Sequence, residues 1–380
     1  MKFSFGIEHE VAFVRSDGQF ADFSNTTFEE LDALITQLPH YESDYPQLRV
    51  GDAGIKIKRW YIEGFERFSE TGQLTGCAPK GSELRTTIHS SIDEAIAQLT
   101  QLQDQLRDVA QSAGFTPALI SYNPYQPIFT PSPPLNGYEQ HRRNSSAEKR
   151  TATIPMMTFG PDLNVSVDGL STAEIIDYGQ KLTYYSPFIL PFSYSSPFYQ
   201  GQLWDGLSIR TYERTGKRPA AMVFLEHPEE LIVSQPSLTK IARVPAEVGR
   251  IEFKAFDSCG DFQLYGSLLA LLKGLMLDTT LPGRGLIPSA PRHQRSAQLG
   301  FKDEAIYGNA TMILMAVDRA LKGDGDREKL KPLHRMLEKR RSPADGMIAQ
   351  FKAGRSQGRD PSSLLNDILL ASYPRQLAVA

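Results

Sequence analysis

Residues 2 to 15, KFSFGIEHEVAFVR, alternate so that Phe3, Phe5, Ile7, His9, Val11 and Phe13 fall on one face of a strand and Ser4, Gly6, Glu8, Glu10 and Ala12 on the other. The same two-faced pattern recurs in SELRTTI (82–88), TFGPDLNVSVDG (158–169) and GRIEFKAFD (249–257), which predicts four firm strands. Residues 55 to 68, IKIKRWYIEGFERF, mix β-branched, aromatic and charged residues and predict a hairpin or irregular strand pair broken near Gly64. Helical spacing appears elsewhere. TTFEELDALITQL predicts a short amphipathic helix, and Ser91 with Glu94 opens a longer one carrying Ile92, Ile96, Leu99, Leu102, Leu106 and Val109 until Gly114 stops it. Ser171 with Glu174 caps another running towards Pro187, and FQLYGSLLALLKGLML reads as a buried helix. From about residue 292 the chain reads as helices with charged faces, DEAIYGNATMILMAVDRAL being the best of them. Two segments follow neither period and read as loops: Thr116 to Arg150, ending in Arg142, Arg143, Lys149 and Arg150, and residues 191 to 219, dense in aromatic and Arg side chains. Strands and helices in this mixture predict an α+β fold. With no internal repeat and no linker, residues 1–380 are expected to form a single catalytic domain whose part from about 292 is mostly helical.

Composition narrows the function classes. Lys and Arg number 41 against 44 Asp and Glu, and a net charge of -3 offers no broad attraction to nucleic acid or to an anionic membrane. Cys77 and Cys259 are the only cysteines, too few for a disulfide framework or a cysteine-built zinc site. No apolar run reaches the ~18 residues that would cross a bilayer, and the first residues enter a strand pattern at once, so the expected location is cytoplasmic.

The polar faces of the strands change the picture more. They carry Glu8 and Glu10; Glu83 with Arg85 and Thr87; Asp162 with Asn164 and Ser166; and Glu252 with Lys254. Ionised carboxylates crowded together repel one another, and divalent cations resolve that conflict. Hard oxygen ligands of this kind favour Mg²⁺ or Mn²⁺ over zinc. One acidic strand could simply be a solvated edge, but four with the same pattern point to a ligand-bearing sheet. His9 lies on the apolar face, which suits a packed core histidine, and Cys259 after the fourth strand suits a small buried hydrophobe. No P-loop, strand-linked G-x-G-x-x-G or H-E-x-x-H occurs, RTGKRP lacking both the first Gly and the terminal hydroxyl. Phosphate recognition is left to the basic segments, Arg210, Arg214, Lys217 and Arg218 in one and Arg142, Arg143, Lys149 and Arg150 in the other, each also readable as solvated surface.

FGIEHE resembles the G-I-E-x-E strand of the carboxylate–amine ligases related to glutamate–cysteine ligase. GSELRTT is similar to their second acidic strand, and MTFGPDLNVSV to the strand with a His-x-His or His-x-Asn pair. SSPFYQG…SIRTYERTGKRP resembles their S-P-x-x-x-G…S-x-R loop, and GRIEFKAFDSCGD their G-x-x-E-x-R-x-x-D-[ST] strand and turn. These blocks come in the family's order over residues 5 to 260.

The resemblance implies a glutamine synthetase-like fold, a curved, mainly antiparallel sheet forming a funnel with helices packed outside. It also implies ATP-dependent amide formation through an acyl phosphate, with glutamate and cysteine, as in glutathione biosynthesis, the best single substrate pair. Carried over residue by residue, Glu8, Glu10, Glu83, Asp162, Asn164 and Glu252 would be metal ligands, Glu252 also serving catalysis. Arg210 would contact phosphate or the acyl phosphate, Arg214 and Lys254 would lie with it on the nucleotide, and Arg85 would hold the substrate's carboxylate. The implied cofactors are ATP and Mg²⁺ (or Mn²⁺), and the implied partners are small amino acids, with no nucleic acid or membrane; the oligomeric state stays open, a homodimer among the outcomes. Two positions depart from the family pattern. Asp162 stands where the first His of the pair is expected, and Lys254 stands where Arg is common. Two rival readings share the fold: a guanidino kinase that stops at phosphoryl transfer, and a nucleotide- or amino-acid-binding regulator without turnover.

Overall fold

In the computed structural model, which describes residues 1–44, 58–118 and 120–371, the first alternating run is one 13-residue strand, β1 (Phe3–Arg15). Short β2 (Phe20–Ala21) returns from it, followed by β3 (Trp60–Phe68), β4 (Leu74–Arg85), β5 (Phe115–Ala118) and β6 (Pro161–Val167). A separate ribbon of β7 (Phe198–Tyr199) and β8 (Gln202–Leu203) precedes β9 (Ala221–Leu225), β10 (Thr239–Ile241) and β11 (Ile251–Phe253). The main sheet runs β10-β9-β11-β6-β1-β4-β3, antiparallel throughout except where β10 joins β9. β1 is its spine. Residues 3–11 pair with β6 and β4, while residues 12–15 switch partners to β5 and β2.

Helices cover the apolar face of this sheet, giving the α+β architecture that the sequence predicts. α1 (Phe28–Gln37) opens at Thr27 with a capping box, and α2 (Ile92–Ser112) starts at Ser91, whose side chain accepts from the Glu94 amide. α3 (Gly137–Asn144) and α4 (Ala147–Arg150) are short; α5 (Thr172–Ile189) has the expected Ser171–Glu174 box. α6 (Ile209–Arg214), α7 (Phe262–Leu277), α8 (Ala290–Leu299) and α9 (Glu304–Ala320) follow, then α10 (Lys331–Lys339), α11 (Pro343–Ser356) and α12 (Pro361–Ala371). α7 is apolar on all sides because it is a core element, touching β6 beneath it and α2, α5 and α9 around it. Leu268, Leu269, Leu271, Leu272 and Leu275 of α7 are all fully buried, each worth roughly 2 kcal/mol in burial. No helix among the described residues is long and apolar enough to cross a membrane.

Several local expectations change. Residues 60–68 form one strand rather than a hairpin, and residues 55–57 lie outside the described residues. The break foreseen at Gly64 is a β-bulge: Glu63 pairs with Gly81 and Gly64 with Pro79, so Lys80 is an extra residue on β4. Gly64 is required there, because a Cβ would sit 2.3 Å from the Ala78 carbonyl oxygen. The second acidic strand begins at Leu74 instead of Ser82 and ends at Arg85, leaving Thr87 beyond it. The fourth shrinks to Ile251–Phe253, so Lys254 follows the strand. The segment read as a loop from Thr116 to Arg150 contains β5, α3 and α4, with α3 opened by a capping box of Asn136 and Glu139. Likewise α6 interrupts the second loop.

Candidate active site

The polar face of the sheet gathers the carboxylates by register. Glu8 on β1 lies between Arg85 on β4 and Asp162 on β6, while Glu10 faces Glu83, which in turn faces Tyr61 on β3. Asn164 on β6 faces Gly6 on one side and Glu252 on the other. Two groups result: Glu8, Asp162 and Glu252 offer oxygens within 4.8 Å of one another, and so do Glu10, Glu63 and Glu83. Glu63 is absent from the set expected from sequence. Its signal is the alternation Tyr61, Glu63 on β3, hidden by the bulge that follows.

Cations meet the two groups differently. In the first, the Lys254 ammonium bonds the Asp162 carboxylate and lies 2.9 Å from Glu252 Oε2, while Arg250 Nη1 donates to Glu8 Oε1 at 3.1 Å and Nη2 lies 3.5 Å from Glu252 Oε1. Arg250 also escaped the sequence reading, although it continues the 250–252–254 alternation by one step. In the second group the bulged Lys80, 2% exposed, donates to Glu10 Oε1 at 2.5 Å and to the Thr158 carbonyl. Among the described residues no cation pairs with Glu63 or Glu83.

Acidities follow this division. Burial works to raise Glu252, yet Lys254 and Arg250 bring it down to about 2. Burial works to raise Glu8 as well, but Arg250 and Lys254 together with a hydrogen bond from Glu83 leave it lowered. Burial raises the Asp162 carboxyl against the pull of Lys254, and Lys254 itself is raised because Asp162 and Glu252 outweigh its burial. In the second group burial, then Glu63, Glu8 and Glu10, push Glu83 well above the ordinary carboxylate range. Glu63 is raised by burial too, with Lys80 opposing. The first group is thus largely neutralised by the protein's own cations, and the second is not.

Arg210 and Arg214 come from α6, not from a loop, and both turn inward. Arg210, 2% exposed, donates to the Ala255 carbonyl at 3.0 Å and the Lys254 carbonyl at 3.1 Å, with Asp257 Oδ1 3.8 Å away. Asp257 is itself fixed by the Ser195 amide and the hydroxyls of Ser196 and Ser208. Arg214 donates to the same Lys254 carbonyl at 3.0 Å; burial, then the neighbouring Arg210 and Arg218, pull its pKa well down. The Arg210 guanidinium lies against Gly160, where a Cβ would come 2.1 Å from Nη2. The Gly160 amide donates to Glu10 Oε2 at 2.8 Å, so guanidinium and carboxylate flank one glycine.

The remaining basic side chains of the two segments are packed on the fold or exposed. Arg142 and Arg143 stack on the rings of Phe68 and Phe65, and Arg218 joins α4 by donating to the Glu148 carbonyl; Lys149, Arg150 and Lys217 are exposed. Arg85 lies over the Tyr61 ring, 5.0 Å from its centre, and donates from Nε to the Lys58 carbonyl. It lines a polar pocket with Glu8, Thr86, Asn164 and Arg250. The buried Asn164 Oδ1 has no hydrogen-bond partner, and Gly6 leaves space beside it. His9 is on the opposite, apolar face, packed on Phe262 and Tyr265 with Nδ1 3.2 Å from the Tyr265 hydroxyl. Cys259 is buried, as read from the sequence.

The family model Glutamate-cysteine ligase family 2 matches residues 4–227, more than half of the chain. Among solved structures, a glutamate–cysteine ligase from Francisella tularensis in complex with AMP aligns over 98% of this chain and 88% of its own, with TM-score 0.54 and 14% identity. A bifunctional glutathione synthetase from Pasteurella multocida aligns over 98% of this chain with TM-score 0.56 and 11% identity, and the chain spans about half, 53%, of that protein. The complex of the prokaryotic ubiquitin-like protein Pup with its ligase PafA aligns over 97% of this chain and 72% of the other, with TM-score 0.56 and 11% identity. At such identities the likeness is one of fold. Among curated proteins none matches in sequence.

Proposed function

Because the chain belongs to glutamate-cysteine ligase family 2, we propose that it is an ATP-dependent carboxylate–amine ligase that forms an amide bond through an acyl phosphate, with glutamate and cysteine as its substrates. The observation that carries this reading is the meeting of Arg210 and Glu10 on the two sides of Gly160. An anion-binding group and the edge of a carboxylate cluster thereby share one site.

In the first step a carboxylate oxygen of the amino acid takes the γ-phosphoryl group of ATP and ADP leaves. In the second, the amine nitrogen attacks the acyl carbon, phosphate leaves and the nitrogen loses a proton. Both steps concentrate negative charge on phosphoryl oxygens, which prearranged cationic groups stabilise without reorganising. Arg210 suits that task because two carbonyls and Asp257 fix its guanidinium before any ligand arrives. Arg214, tied to the same carbonyl, adds a second positive charge. Arg85, against Tyr61 and beside Asn164, would hold the carboxylate of the amino acid. Glu10, Glu63 and Glu83 present carboxylate oxygens only, a donor set that fits Mg²⁺ or Mn²⁺. Bound there, such an ion would offset the charge of the triphosphate.

The test is ADP release by purified protein with Mg²⁺, glutamate and a panel of amines, followed by the mass of the product. ADP formation that needs both substrates and yields a γ-glutamyl amide is expected. Turnover independent of every amine removes the reading. A stable phosphorylated product would identify a guanidino kinase-like enzyme, and tight ATP binding with no turnover would identify a regulator.

A further inference from the structure

We infer that the ammonium group of Lys254 occupies the Glu8–Asp162–Glu252 cluster as an internal cation, so that this protein seats a divalent ion at Glu10, Glu63 and Glu83 and not at the first cluster. The inference rests on reading the polar face as metal-binding, and it deepens that reading by fixing which cluster takes the metal.

Geometry separates the clusters. Lys254 reaches two of the first three carboxylates at once, bonding Asp162 and lying 2.9 Å from Glu252, while Arg250 takes Glu8. Every carboxylate there has a cationic partner. A divalent ion entering the same space would have to displace the ammonium or lie against two positive side chains. In the second cluster the buried Lys80 pairs with Glu10 alone and also donates to the Thr158 carbonyl, leaving Glu63 and Glu83 without an ion-pair partner among the described residues.

Lys254 is also held where it is. Its amide donates to the Ala220 carbonyl at 2.8 Å, and its own carbonyl accepts from Arg210 and Arg214, so the main chain on both sides of the side chain is pinned. The ammonium needs no rearrangement to reach Asp162, which lies on the adjacent strand.

The chemistry of the pair points the same way. Asp162 and Lys254 are the two ends of one ion pair, and a compact ammonium neutralises a carboxylate at contact distance, where a planar guanidinium would be bulkier.

Equilibrium dialysis against Mn²⁺ without nucleotide counts the sites. Lys254→Met is expected to bind one equivalent more than the unaltered protein, and equal stoichiometry in the two, including none in either, overturns the inference. Asp162→His, which removes a carboxylate but leaves Lys254 on Glu252 and Arg250 on Glu8, is expected to gain no Mn²⁺ equivalent, and a gain counts against the inference. A third measurement needs no variant: anomalous scattering from crystals soaked in Mn²⁺ should place a peak among Glu10, Glu63 and Glu83. A peak among Glu8, Asp162 and Glu252 in the unaltered protein overturns the inference. None of these readouts requires turnover, so a failed ligase assay and a failed metal count remain distinguishable.

Discussion

Glu10 on β1 and Glu83 on β4 stand directly opposite each other across an antiparallel ladder, two carboxylates at one rung. Like charges so placed destabilise a sheet, and Glu63 from the next strand adds a third. Crowding these carboxylates costs local stability, and that cost is measurable.

Glu83→Gln should therefore raise the Tm of the protein in chelator, on the order of 2 °C for a gain of about 1 kcal/mol. Mg²⁺ is expected to raise the Tm of the unaltered protein, and that rise should shrink in the variant, since ligand binding stabilises by mass action. A thermal melt series with and without Mg²⁺ reads both effects; a lower Tm in chelator would show that Glu83 is not held against repulsion.

Gly160→Ala tests Arg210 without touching its charge. The new Cβ would lie 2.1 Å from Nη2, so the guanidinium must move by about an ångström. A displacement of that size is expected to lower kcat about 10²-fold, close to the effect of Arg210→Lys, which loses the planar fork. Amide formation assayed side by side in the two variants checks it, and a kcat within twofold of the unaltered protein would show that the position of Arg210 is not critical.

His9 is buried and neutral, its pKa lowered to about 3 by burial. A base depressed in the folded state contributes stability above its unfolded pKa of about 6.5, and that contribution is lost as pH falls towards the folded value. His9→Leu should consequently reduce the pH dependence of stability between pH 6.5 and 5, by about 1 kcal/mol per pH unit. Urea midpoints across that window measure it, and parallel curves for the two proteins would contradict it.

Glu139 is bound by Arg67 through two hydrogen bonds and by the amides of Phe68 and Asn136, which hold its carboxyl down at about 2. A lowered carboxyl contributes stability above its unfolded pKa and loses it as pH falls through that value towards 2. Glu139→Gln should cost about 2 kcal/mol at pH 7, since hydrogen bonds to charged groups are the strong ones. The difference from the unaltered protein should narrow below about pH 4.5.

Much of the fold was legible. β1, α2, α5, α7 and α9 follow from period and caps, because each buries a continuous apolar face whose spacing is local information. Glu8, Glu10, Glu83, Asp162 and Glu252 could be gathered from sequence because alternation alone assigns a side chain to a face. The misses have other causes. Lys80 reaches Glu10 only through a bulge, Glu63 is masked by that same bulge, and α3 is short, polar and marked by little beyond its Asn136–Glu139 cap.

By itself the sequence determined which residues share the polar face of the sheet, since strand geometry fixes that within each segment. Tertiary structure decided which of them meet. The register of β6 beside β1, and of β11 beside β6, put Asp162 and Glu252 with Glu8, the bulge in β4 brought Lys80 to Glu10, and α6 turned Arg210 inward onto Gly160. Register and bulges depend on partners far away in the chain, so whether a carboxylate cluster is neutralised by the protein's own cation or left open for another is written only in the folded arrangement.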